Sequence, residues 1–69
     1  MYVFKSTRDM IAEYQRNIDV LRAKADALAV QVQYEPVSEC RRRMRHKIAD
    51  YENVIAESIE AIRAMNEYV

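Results

Sequence analysis

Apolar residues recur at alternating steps of three and four along both halves of this chain, and its single proline, Pro36, separates the two runs. The first run passes through Phe4, Thr7, Ile11, Tyr14, Ile18, Leu21, Ala25, Leu28 and Val32, and the second through Met44, Ile48, Tyr51, Ile55, Ser58, Ile62, Met65 and Val69. A seven-residue repeat places one apolar stripe along a helix, whereas a strand would alternate at every second residue. The sequence therefore predicts two long helices with a break at Pro36.

Local signals set the ends of these helices. Ser6 followed three residues later by Asp9 is an acidic variant of the capping box, which marks a helix N-terminus. Pro36 has no amide hydrogen and disfavours helical geometry at the residue before it, but it suits the first position of a new helix. We therefore expect helices over about 7–34 and 36–68.

The two stripes fit an antiparallel hairpin that forms one all-α domain over residues 1–69. In that pairing Ile18 lies opposite Ile55, and Tyr14 lies opposite Ser58, so that a large side chain meets a small one. The chain has no glycine, the residue that most often ends a helix at a close turn. A helix-swapped pair, in which two chains exchange helices, therefore stays open as an alternative.

A chain of 69 residues buries too little apolar surface in one hairpin to be stable without a staple or a partner. Because the sequence offers neither a disulfide nor a metal cluster, we expect a homo-oligomer, a dimer above all, built as a four-helix bundle or coiled coil. The expected oligomer interface consists of apolar residues outside the main stripes, namely Val20, Ala27, Val30, Val54 and Ile59. The alternative is that these side chains are ordinary scattered surface.

The formal net charge is zero, yet the charges are segregated along the chain. Residues 41–47 carry five Lys or Arg and no acid, whereas residues 48–69 carry five Asp or Glu and one Arg. Clustered cations repel one another at the start of a helix, where the helix dipole also disfavours them. The compensating charge could come from the acidic end of a second copy, from an acidic protein partner, from nucleic-acid phosphates, or from neighbours on the same helix.

The candidate residues for binding a partner or a nucleic acid are the basic segment and one nearby ring, namely Arg41, Arg42, Arg43, Arg45, His46, Lys47 and Tyr34. Phosphate backbones attract such arginine clusters, and an exposed tyrosine can stack on bases. The balanced total charge weighs against nucleic acid, since dedicated binders are usually basic overall. A nucleic-acid partner is thus the second interpretation, and the first is a protein partner, beginning with the chain itself.

Catalytic and metal chemistry have little support in this sequence. His46 is the single histidine and Cys40 the single cysteine, and their six-residue separation puts them on different faces of a helix. No nucleophile, base and oxyanion set can be assembled, so we expect no enzyme activity, no cofactor and no metal. No apolar run suggests a membrane partner, and a cytoplasmic location is expected.

These observations predict a small non-enzymatic module for helical oligomerisation or protein interaction, with a regulatory role. The alternative is a nucleic-acid-binding regulator that uses residues 41–47. Short helical chains of this kind are also common in phages and other mobile elements, which makes such an origin an expectation by association only.

Overall fold

A computed structural model describes residues 6–68 of the chain as two helices packed against each other as a hairpin. Helix α1 runs over Thr7–Tyr34 and helix α2 over Ser38–Asn66. The molecule is an elongated slab of 50 × 26 × 15 Å. The predicted all-α hairpin is confirmed, while the predicted stripe positions Phe4 and Val69 lie outside the described residues.

The predicted N-cap of α1 is confirmed. Ser6 has an extended backbone, and its side-chain oxygen accepts a hydrogen bond of 3.1 Å from the backbone N–H of Asp9. This bond satisfies one of the amide groups that a helix start leaves without a partner. Asp9 also places an acidic side chain on the first turn, where the helix dipole favours it.

Helix α2 begins at Ser38, so the predicted start at Pro36 is two residues too early. Glu35 and Val37 are both extended, and for Glu35 this is the geometry that Pro36 demands of the residue before it. The carboxylate of Glu35 accepts a hydrogen bond of 3.2 Å from the backbone N–H of Val37. Among residues 6–68 no backbone φ is positive, so the turn closes through extended residues and needs no glycine.

The other end of α2 also differs from the prediction. The helix ends at Asn66, and not at residue 68. The N–H of Glu67 bonds to the carbonyl of Ala64 at 3.3 Å, and that of Tyr68 bonds to the carbonyl of Met65 at 3.0 Å. These bonds reach back three residues, so the helix tightens into a closing turn over its last residues.

The core follows the predicted stripes. Ile18, Ala25 and Ile55 are buried, with Ile18 only 5% exposed. Ser58 is buried beside them, and its hydroxyl donates a 2.8 Å hydrogen bond to the carbonyl of Val54 one turn earlier. That bond satisfies a polar group that would otherwise be costly to bury.

The edges of the stripes remain open. Tyr14 was predicted to be core, but it is 39% exposed, whereas Tyr51 is half-buried. The difference arises because two helices meet along a narrow seam, and a large ring at its edge is covered from one side only. Neither helix of the described residues combines the length and apolar character that a membrane crossing requires.

We predict that Ile18→Asp or Ile55→Asp unfolds the hairpin. Each change removes a buried apolar side chain and places a charge in the seam, which costs at least about 3 kcal/mol. The check is a thermal melt followed by circular dichroism. Ala23→Asp, at an exposed position of α1, is the control and should lose only its helix propensity. A melt of the Ile18 or Ile55 variant that matches the parent would refute the seam.

Candidate interaction surfaces

The basic segment, residues 41–47, lies at the start of α2 beside the turn. Successive residues of a helix are about 100° apart, so seven consecutive side chains point all round its axis. The basic residues therefore do not form one patch, and each group has a different environment.

Arg41 is turned toward the hairpin turn. Its Nη1 donates hydrogen bonds to the backbone carbonyls of Glu35 at 2.8 Å and of Pro36 at 3.1 Å. The side chain is half-buried in this position. The guanidinium thus satisfies carbonyl groups that follow the C-terminus of α1, where the helix dipole favours positive charge. Its contacts make Arg41 part of the turn.

Arg42 and Arg43 share one acidic neighbour on the same helix. Arg42 Nη2 lies 3.1 Å from both carboxylate oxygens of Glu39, and Arg43 Nε lies 3.7 Å from Oε1 of the same residue. All three side chains are exposed, and such ion pairs contribute little to stability. One carboxylate serving two guanidinium groups leaves the segment with a positive excess.

The remaining basic residues point in two directions. Arg45 and His46 are exposed, and together with Arg42 and Ala49 they line a shallow depression of about 320 Å³ on the outside of α2. The ammonium of Lys47 instead lies 5.9 Å from the centre of the Tyr51 ring, within the range of a cation–π contact.

Tyr34 is 79% exposed at the C-terminus of α1. It borders a separate depression of about 340 Å³, whose lining residues are Val30, Gln31, Glu35 and Met44. The structure therefore brings Tyr34 close to the turn, on a different depression from the one that Arg45 and His46 line.

A larger groove of about 460 Å³ lies between the helices on one broad side of the hairpin, and we call it the Tyr51 groove. Its floor is apolar and its rim is basic. Its lining residues are Lys24, Ala27, Leu28, Gln31, Arg43, Met44, Lys47 and Tyr51. Leu28 and Met44, which the stripes predict to be opposite each other, both contribute to it.

The opposite broad side has a second groove, of about 420 Å³, that we call the Ile59 groove. Ile18, Ile59 and Ile62 form its apolar part, and Gln15, Asp19 and Arg22 form its polar part. Farther along, Arg22, Asp26 and Glu52 line a depression over Ala25 and Ile55. Charged groups of both signs therefore cover much of this side.

The five predicted interface residues are all exposed, as an interface between copies needs, but they do not share one side of the hairpin. Ala27 lines the Tyr51 groove, and Val20 precedes it by seven residues on the same row. Val54 lies seven residues after Lys47, on the same side of α2 as that groove. Ile59 lines the opposite groove. Val30 lines the depression beside Tyr34. The set is thus divided among three surfaces.

Lys24 is a surface residue that the sequence interpretation did not single out. It lies in α1, far from residues 41–47 in the sequence, yet the hairpin brings it to the same groove as Arg43 and Lys47. Its position four residues before the stripe residue Leu28 is the one sequence signal that places it beside the seam. Only the pairing of the two helices places Lys24 near Arg43 and Lys47.

Neither Cys40 nor His46 is part of a recognisable chemical site within residues 6–68. Cys40 is a free, half-buried thiol, and His46 is exposed. Within residues 6–68, no three His, Cys, Asp or Glu side chains are grouped so that they could hold a metal ion. Comparison of the chain with protein-family models, curated proteins and solved structures gives no match.

We predict that Arg41→Met destabilises the hairpin, because it removes two hydrogen bonds from a charged donor to the turn while keeping most of the side-chain volume. The expected loss is about 1–3 kcal/mol, or a melting temperature lower by roughly 4–24 °C. Arg42→Met is the matched control, since it removes an exposed ion pair worth at most about 1 kcal/mol. Equal melting temperatures of the two variants would contradict the role assigned to Arg41.

Proposed function

We propose that this chain is a small non-enzymatic module of a regulatory kind that acts through helix association, first of all with copies of itself. The observation that carries the proposal is the contrast between a thin core and a large exposed apolar surface. Among residues 6–68, three apolar residues are buried, whereas nine large ones are at least 36% exposed. The exposed set is Met10, Tyr14, Val20, Val30, Tyr34, Val37, Val54, Ile59 and Tyr68.

The energetics of small helical proteins support association. A helix in water is marginal without tertiary packing, and most of its stability comes from burying an apolar face. Here each helix buries one seam, and its other apolar residues face solvent. A second hairpin placed on a broad side would cover both helices at once and produce a four-helix bundle.

Analytical ultracentrifugation tests this proposal. At high micromolar concentration the chain should sediment with twice its 8.2 kDa mass, because the uncovered apolar surface favours a dimer. Dilution should then lower helicity and mass together, since folding and assembly are linked. A well-folded monomer at high micromolar concentration would refute self-association and leave an acidic protein as the partner to be sought.

A second candidate function is nucleic-acid binding. The observation that favours it is the shared position of Arg42, Arg45 and His46 on the outside of α2. Arg41 is engaged at the turn, and Arg42 and Arg43 both contact Glu39, so fewer of the segment's charges are available than the sequence alone implies.

Salt dependence tests the second candidate. An RNA or DNA complex should weaken steeply between about 50 and 200 mM salt, and Arg42→Glu/Arg45→Glu should abolish it. Arg8→Glu/Arg16→Glu changes the total charge by the same amount at exposed positions of α1 and should retain most of the binding. If the native chain binds neither RNA nor DNA at low salt, this candidate is excluded.

A further inference from the structure

One broad side of the hairpin carries an apolar groove with a basic rim, together with the apolar rows that lead away from it, and we call this surface the Tyr51 face. It starts at the Tyr51 groove, where Leu28, Met44 and Tyr51 lie together. Steps of seven residues from Leu28 lead along the same row of α1 to Leu21 and Tyr14. Steps of seven from Lys47 lead along α2 to Val54 and Ala61. Val54 and Tyr14 are 46% and 39% exposed on this face.

The opposite side has a different character. Its Ile59 groove has a half-polar rim of Gln15, Asp19 and Arg22, and charged Asp26 and Glu52 follow along the seam. Covering that side would bury charged groups of both signs along the seam, whereas the charges of the Tyr51 groove are cations on its rim, around an apolar floor. The Tyr51 face is therefore the better surface for a second helical pair.

The size of the face fits such a partner. The hairpin presents a side of about 50 by 26 Å, which can supply the roughly 800 Å² per partner that a standard interface buries. A second hairpin has the same length and breadth, so it covers the apolar rows of both helices.

Charge decides how the second copy is oriented. Residues 41–47, next to the turn, carry five cations, and residues 48–69 carry five acids against one cation. With both turns at the same end, the two basic segments would lie together and repel. With the turns at opposite ends, the basic start of each α2 lies beside the acidic end of the other.

We propose that the Tyr51 face binds a second copy of this chain in antiparallel orientation, so that α2 packs along α2 and Lys47 of each chain pairs with Glu57 of the other. This inference rests on the self-association proposed above. A two-fold axis that crosses α2 between Asp50 and Val54 produces this register, and symmetry makes the ion pair occur twice. Val54 then lies two residues from the axis, where α2 of the second copy covers it.

The ion pair gives the register a specific test. Lys47 and Glu57 are ten residues apart, which is about 15 Å along one helix, so they cannot pair within a chain. Lys47→Glu and Glu57→Lys should each weaken the dimer about 10-fold, because each replaces two attractive contacts by two repulsive ones. The double variant Lys47→Glu/Glu57→Lys should return to within about 3-fold of the parent.

A second pair of variants tests the face. Val54→Glu places a carboxylate inside the proposed interface and should weaken the dimer about 100-fold. Ile59→Glu is the matched control, since Ile59 is 36% exposed on the same helix, lies about 140° round α2 from Val54 and lines the opposite groove. It should change the dissociation constant by less than about 3-fold. Circular dichroism at equal helicity shows that the hairpin persists.

The outcomes separate the two proposals. A native chain that stays monomeric refutes self-association itself. A native dimer that Ile59→Glu weakens as much as Val54→Glu refutes the Tyr51 face alone. A native dimer in which the double charge exchange is no better than the single changes refutes the antiparallel register. Rescue by the exchange, together with loss in Val54→Glu only, supports the inference as stated.

Discussion

Each helix of this hairpin has one neighbour, and that single contact determines how much of the chain can be buried. Ile18, Ala25 and Ile55 lie in the middle of the seam and are covered by both helices. Side chains at the edge, such as Tyr14, touch the neighbouring helix on one side and solvent on the other. A seam between two helices has no third layer, so its apolar rows remain incomplete. The exposed rows are the observation on which the proposed association rests.

The turn shows how an arginine can take over a task that glycine often performs. Extended Glu35 and Val37 reverse the chain, and Arg41 binds the carbonyls of Glu35 and Pro36 from the first turns of α2. One member of the basic segment thereby holds the two helices together at their connected end. The segment combines structural and surface roles, which a charge count along the sequence cannot distinguish.

The angular position of each residue on its helix, measured from the seam, decides which broad side of the hairpin it faces. Five residues correspond to about 140° round a helix. Val54 and Ile59 therefore lie on opposite broad sides of the hairpin, and Ile59 lines the groove on its side. The Tyr51 side collects apolar rows with cations at the turn end, and the Ile59 side collects mixed charges. Because α2 is basic near the turn and acidic toward its C-terminus, the two ends of the molecule differ in charge.

The sequence by itself determined the two helices, the break at Pro36, the Ser6 cap and the seam, because these depend on periodicity and on local hydrogen-bond chemistry. It placed Ile18, Ile55 and Ser58 correctly for the same reason. The hairpin geometry decided the start of α2 at Ser38, the exposure of Tyr14, the inward contacts of Arg41 and the meeting of Lys24 with Lys47. The start of α2 and the contacts of Arg41 depend on the conformation of the turn, which periodicity does not specify. The exposure of Tyr14 and the groove that Lys24 and Lys47 share depend on residues far apart in sequence, and only the packing of one helix on the other sets their distances and angles.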